Sequence, residues 1–250
     1  YFSYIIGMNN IGIGIMCFGD DYYFRGTKEK VKEFNSLNYP VYIITDKPNE
    51  FPTNNLINII YYDRQIKSYH DKMLLPKYIL ENHEICIILD ADLHIKDYSF
   101  LKKLKDYQFL VGISYVDTLL NHPAKIVFNN NFNFNELEWV PYKKYIDYVY
   151  EPILGYETIW EYMLIVNKFG FNQEKFYNEY EKLQIVKEYS DLSVKKDILG
   201  NGEGISIRVS SILSDTLIQR DFELYEMIKD KVESISKKFT RPELWPIWMK

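Results

Sequence analysis

Residues 85–95 read ICIILDADLHI, a run of five apolar residues followed directly by two aspartates one residue apart. An uninterrupted apolar run of this kind is typical of a strand that is buried on both faces. Open α/β sheets bind their ligands at the carboxyl ends of such strands. Because side chains i and i+2 of an extended chain point to the same side, Asp90 and Asp92 are predicted to share one cation. Oxygen ligands favour Mg or Mn over zinc.

Apolar segments alternate with helical patterns over the first ~110 residues. This alternation predicts a largely parallel sheet with right-handed crossovers, flanked by helices. Strands are predicted at residues 11–18, 41–45, 56–60, 85–89 and 109–115, and helices at 27–37 and about 72–81.

The pattern is less regular in the second half of the chain. Irregular structure, with a possible hairpin, is expected through the Asn-rich residues 129–135 and the aromatic residues 139–150. Apolar residues at helical spacing then predict helices at 174–186, 205–213 and about 221–239. The C-terminal part is therefore expected to be helical.

Composition limits the class of protein. The 250 residues are 47% hydrophobic and suit one domain with a sizeable core. No apolar run reaches the ~18–20 residues of a membrane span, and the net charge of -5 disfavours an extended nucleic-acid surface. The two cysteines lie in apolar segments, which favours a reducing, cytoplasmic location. The chain begins with Tyr1, so a preceding segment or a start at Met8 is also considered.

Residues 69–95, YHDKMLLPKYILENHEICIILDADLHI, resemble the nucleotide-sugar glycosyltransferases with the A-type fold, distantly the family of glycogenin and the lipopolysaccharide galactosyltransferases. In that family a basic residue opens a helix about twenty residues before the acidic motif, and Lys72 occupies that place. The resemblance implies a single Rossmann-like domain over residues 1–250. Residues of about 8–115 would form the nucleotide-sugar-binding half, and residues of about 116–250 the acceptor-side half. The family's later histidine ligand has no counterpart, because no histidine follows His122.

The resemblance also implies roles for individual residues. Asp90 and Asp92 would bind Mn or Mg, and the donor would contact the residues Phe18, Gly19, Asp20, Asp46, Lys72, Asp90 and Ala91. The chemistry agrees, because breaking an anomeric bond expels a diphosphate whose charge a cation and a lysine stabilise. Simpler interpretations stay open: Lys72 as a helix-surface charge, and Asp20 and Asp46 as plain turn residues.

A single carboxylate lies among three glycines in GNGEG, residues 200–204. The glycines admit a ligand close to the backbone, and the resemblance implies that Glu203 is the catalytic group. The alternative is a favourable charge at a helix N-terminus. Glu157 is the next candidate, and His94 is interpreted as a structural residue or one that supports the metal site.

Together, the residues and the resemblance predict a metal-dependent glycosyltransferase that moves a sugar from a nucleotide sugar, expected to be UDP-linked, to a hydroxyl acceptor such as a glycan. By analogy alone, the transfer is expected to retain configuration. A protein, or a hydroxylated base in viral DNA, is an alternative acceptor, so nucleic acid enters only as a substrate. Two other classes are weighed: a nucleotidyltransferase, whose Gly-rich basic loop after the first strand is missing here, and a non-catalytic sugar-binding domain.

Overall fold

The computed structural model describes residues 10–63, 69–104, 114–118, 157–159, 163–190, 207, 210–211, 213–216 and 232–234. Its strands are β1 (Ile11–Cys17), β2 (Val41–Thr45), β3 (Ile57–Tyr61), β4 (Ile85–Asp90), β5 (Leu93–Ile95), β6 (Ser114–Thr118), β7 (Glu157–Ile159), β8 (Met163–Asn167) and β9 (Val232–Ser234). Its helices are α1 (Asp21–Ser36), α2 (Leu75–Ile79), α3 (Leu101–Leu104) and α4 (Gln173–Ser190), with 3₁₀ segments at Pro48–Glu50, Tyr69–Leu74 and Lys168–Gly170.

Five strands form the central sheet, in the order β3-β2-β1-β4-β8. The first four are parallel, and β8 runs antiparallel to β4 with Leu89 opposite Met163. The predicted α/β class, with a mostly parallel sheet flanked by helices, is confirmed. The antiparallel edge strand β8 was not predicted from the sequence.

The sheet has a hydrophobic core on each face, because alternate residues of a strand point to opposite sides. On one face α1 packs Val31 and Phe34 against Ile13 and Ile87. The second face is covered by α2 and α4, whose residues Leu75, Ile79, Phe176 and Tyr180 meet Ile44, Cys86, Ile88 and Val166. The helices therefore lie on both faces of the sheet, which leaves its carboxyl-terminal edge as the place where loops meet.

Two glycines of β1 allow α2 to lie close to the sheet. A Cβ atom built on Gly12 would lie 2.6 Å from Cγ2 of Ile79 and 2.8 Å from the His83 ring. At Gly14 it would lie 2.9 Å from Cδ1 of Ile79 and 3.0 Å from Cδ1 of Leu75. The helix thus occupies the space that side chains of β1 would otherwise fill.

The predicted elements of the N-terminal half agree with the structure apart from their ends. The first helix begins at Asp21 rather than at residue 27. The predicted helix at 72–81 is a 3₁₀ segment that continues into the short α2. Pro76, in the first turn of α2, has no backbone N–H to donate and lies where a helix tolerates that.

Predictions beyond residue 104 had mixed outcomes. The helix at 174–186 is confirmed within α4, and residues 207, 210, 211 and 213 are helical as expected. The strand at 109–115 overlaps β6 only at its end, and β6 pairs with β7 outside the central sheet. The helix at 221–239 is wrong at residues 232–234, which form β9 antiparallel to β5. Helical spacing of apolar residues is a local signal, and here pairing with a distant strand overrides it. The expected irregular region at 129–150 lies outside the described residues.

No helix in the part of the chain that the structure describes is long and apolar enough to cross a membrane.

Candidate active site at the carboxyl ends of β1 and β4

The strand order places a topological switch point between β1 and β4. From β1 the chain moves to β2 and β3 on one side and then returns to β4 on the other side. Open α/β sheets bind ligands in the crevice outside the carboxyl ends of the strands at such a point. Met16 of β1 lies opposite Asp90 of β4, so residues 18–20 and 91–92, which continue the two strands, lie at the same edge of the sheet. We call this place between the ends of β1 and β4 the crevice. The structure thus brings together two segments that are about seventy residues apart in sequence.

A buried lysine holds Asp90, the last residue of β4. Lys72 lies in the 3₁₀ segment before α2, and its Nζ donates a hydrogen bond of 2.9 Å to Oδ1 of Asp90. The Lys72 side chain is 3% exposed, whereas that of Asp90 is 22% exposed. Burying an ammonium group costs several kcal/mol unless it is paired, so this ion pair is a built feature of the crevice. The interpretation of Lys72 as a surface charge is therefore wrong, and its contact with a donor stays a prediction.

A second buried lysine, which the sequence analysis missed, approaches the acidic turn from the opposite face of the sheet. Lys30 of α1 is 4% exposed, and its Nζ donates to the backbone carbonyls of Ala91 at 2.7 Å and Leu93 at 2.9 Å. Burial lowers the pKa of Lys30 to about 8, and Asp92 is the strongest of the groups that oppose this shift. A signal was present in the sequence, because Lys30 lies on the same helical face as Val31 and Phe34.

Asp92 lies in the turn between β4 and β5, next to the buried Ala91. The carboxylate of Asp92 affects the pKa of Tyr23, a second residue that was not identified from the sequence. Burial raises the pKa of the Tyr23 hydroxyl, and the carboxylates of Asp92, Asp20 and Asp90 raise it further. Tyr23 therefore lies within electrostatic range of both segments that border the crevice.

The segment after β1 turns sharply at Gly19, whose φ is +92°. Glycine adopts this left-handed conformation at no steric cost, whereas most side chains would be strained here. Asp20 is the N-cap residue of α1, but its side chain makes no capping hydrogen bond, and it is exposed. Phe18 is half-buried against the core on the α2 side of the sheet. Whether these three residues contact a nucleotide stays a prediction.

Asp46 follows β2 and is half-buried. Because β2 neighbours β1 on the side away from β4, Asp46 lies at the same edge of the sheet, one strand farther from the acidic turn. Its predicted hydrogen bond to a base or ribose remains a prediction.

The remaining candidates stand apart from this crevice or are not described. Glu203 lies outside the described residues, so its catalytic role stays a prediction. Glu157 begins strand β7 rather than lying in a turn. His94 lies in β5 and is half-buried. Among the residues that the structure describes, no group of three or more His, Cys, Asp or Glu side chains could hold a metal ion.

No protein-family model matches the chain, and no curated protein matches it in sequence. Solved structures similar to the chain include the glycosyltransferase GlyE of Streptococcus pneumoniae TIGR4, with 14% identity and a TM-score of 0.43 over 88% of this chain and 47% of GlyE. Apo WbbM, a bifunctional glycosyltransferase, matches at 13% identity and a TM-score of 0.41 over 70% of this chain and 35% of its own.

A third similar structure is a glycosyltransferase involved in the glycosylation of the major capsid of PBCV-1, at 14% identity and a TM-score of 0.40, covering 88% of this chain and 90% of its own. This chain thus spans less than half the length of GlyE and of WbbM. At these identities and TM-scores the likenesses assign no activity to it.

Proposed function

We propose that this protein transfers a sugar from a uridine-linked nucleotide sugar to a hydroxyl acceptor, with Mn²⁺ or Mg²⁺ bound at the acidic turn. The observation that carries the proposal is the pair Asp90 and Asp92 at the switch point between β1 and β4. Two buried lysines, Lys72 and Lys30, reach this turn from opposite faces of the sheet. Carboxylates for a cation and lysines for phosphate charge are the groups that the loss of a diphosphate requires.

The residues at the turn fit a cation that is bound together with its nucleotide. Mg²⁺ commonly uses one or two carboxylates and completes its shell with water and substrate phosphates. Asp90 and Asp92 supply two such carboxylates, and the described residues hold no larger cluster that would form a protein cage. A cation held here would stabilise the charge of the departing diphosphate.

The chain's own residues would orient the acidic turn and neutralise charge. Lys72 fixes one oxygen of Asp90 by its hydrogen bond to Oδ1. Asp90 is partly exposed, whereas Lys72 is buried beneath it. A phosphate at this edge would therefore lie closer to the carboxylate than to the ammonium group, and the positive charge of Lys72 would reduce its repulsion by Asp90. In this proposal Lys72 moderates the repulsion between the acidic turn and a diphosphate.

The segment after β1 is the proposed place for the uridine and ribose. Gly19 has a positive φ and no side chain, so a ligand could approach its backbone closely. Phe18 would offer an aromatic ring beside it. Asp20 and Asp46 are the proposed acceptors of hydrogen bonds from base or ribose hydroxyls. Glu203 is retained as the proposed catalytic carboxylate, by resemblance alone.

Calorimetric titration with uridine diphosphate, with and without Mn²⁺, tests the proposal. We expect binding only when the metal is present, and we expect Asp92→Asn to lose the metal-dependent binding. Asp97→Asn is the matched control, because Asp97 is exposed and its carboxylate accepts hydrogen bonds from the backbone N–H and the hydroxyl of Ser99. Equal binding by the wild type and by Asp92→Asn in the absence of metal would show that the acidic turn has another role.

A further inference from the structure

The carbonyls on either side of Asp92 are held by one side chain. Nζ of Lys30 donates to the carbonyl of Ala91 at 2.7 Å and to that of Leu93 at 2.9 Å. Ala91 and Leu93 are the residues immediately before and after Asp92. The Ala91 carbonyl belongs to the peptide group before Asp92, and the Leu93 carbonyl to the second peptide group after it. These two anchors restrict how the segment between them can move, and with it the direction of the Asp92 carboxylate.

The turn is packed against the core as well as held by these hydrogen bonds. Ala91 is 8% exposed and Leu93 is fully buried, and both belong to the core on the α1 face of the sheet. A cleft of about 300 Å³ lies between α1 and β5, and Lys30 and Leu93 border it. The two hydrogen bonds from Lys30 therefore join α1 to the turn at the end of this cleft.

The energetics of Lys30 do not suit a residue that merely fills the core. Burial of an ammonium group is unfavourable, and a hydrocarbon of similar length avoids that cost. Hydrogen bonds from a charged donor offset part of the cost, and Lys30 makes two of them. A lysine provides here a positive charge and a fixed position for two peptide carbonyls, whereas a methionine provides neither.

We propose that Lys30 is a positioning residue, which clamps the turn from Asp90 to Leu93 so that the Asp92 carboxylate faces the crevice between β1 and β4. The ligand-binding part of this inference rests on the proposed function. The clamp itself does not, because it can be measured without any ligand.

Lys30→Met, which keeps the length of the side chain, tests both parts. Lys32→Met is the matched control, because Lys32 lies on the same helix and is exposed. In hydrogen–deuterium exchange we expect Lys30→Met to speed exchange of residues 91–95 at least tenfold while β1 keeps its protection. In calorimetry we expect its affinity for uridine diphosphate with Mn²⁺ to fall at least tenfold. Lys32→Met should match the wild type in both.

The two measurements separate the possible failures. Unchanged exchange at residues 91–95 in Lys30→Met overturns the clamp. Faster exchange with wild-type affinity overturns the positioning of Asp92 while leaving the proposed function intact. A wild-type protein that binds no uridine diphosphate with either metal overturns the proposed function and the positioning role together. If Lys30→Met does not fold, Lys30→Leu, which also lacks a donor, is compared with Lys32→Leu by the same criteria.

Discussion

Replacing Gly12 by alanine tests how closely α2 lies against the sheet. The new Cβ would lie 2.6 Å from Cγ2 of Ile79 and 2.8 Å from Cδ2 of His83, whereas an ordinary contact is 3.4 Å or longer. Ile79 is β-branched and lies in a helix, where its χ1 is confined to one rotamer, so Cγ2 moves only with the backbone. The His83 ring bonds to the Tyr42 hydroxyl at 3.1 Å and loses that bond if it swings away.

The expected cost follows from these contacts. Overpacking a core costs typically about 1–3 kcal/mol, and two contacts under 3 Å place Gly12→Ala in the upper part of that range. Replacing a glycine within a strand recovers roughly 0.5–1 kcal/mol. A net loss of about 2 kcal/mol lowers the melting temperature of a chain of this size by about 4–8 °C.

Gly14→Ala is the matched variant, because it strains the other end of α2. Its Cβ would lie 3.1 Å from Cβ of Leu75, which is three residues after Lys72. Scanning calorimetry should show the larger stability loss for Gly12→Ala, and uridine diphosphate titration the larger affinity loss for Gly14→Ala. A melting temperature of Gly12→Ala within 1 °C of the wild type would refute the close packing of α2 on β1.

Three further predictions concern single side chains. Lys72→Met should lower donor turnover by one to two orders of magnitude, which corresponds to about 1.4–2.7 kcal/mol of transition-state stabilisation. It should also lower the melting temperature, because the Asp90 carboxylate loses its ion pair with Lys72. Unchanged donor hydrolysis would limit Lys72 to a structural role. Glu203→Gln should keep nucleotide affinity within a few-fold and strongly reduce transfer, whereas normal transfer would exclude Glu203 as the catalytic group. Burial raises the pKa of Cys17 to about 11 and that of Cys86 well above its ordinary value. Neither thiol should therefore react with Ellman's reagent in the native protein at pH 8, and rapid reaction of one thiol would contradict their burial.

The parallel part of the sheet and the position of the acidic turn could be predicted from the amino-acid sequence alone. The apolar run of β4 and the two aspartates at its end are local features of the sequence. They can therefore be recognised without knowledge of the tertiary structure. The switch point itself depends on the order in which β1 to β4 pair, which was not predicted from the sequence.

The residues that surround the acidic turn depend on tertiary contacts. The short strand β9 pairs with β5 across more than 130 residues of sequence, against its local helical spacing. Lys72 meets Asp90 from 18 residues away and Lys30 meets Ala91 from 61 residues away, and the sequence around neither lysine identifies the partner of its ammonium group. The physical reason is that periodicity reports which face of an element is buried, whereas the partner of a buried charge depends on which distant element packs there.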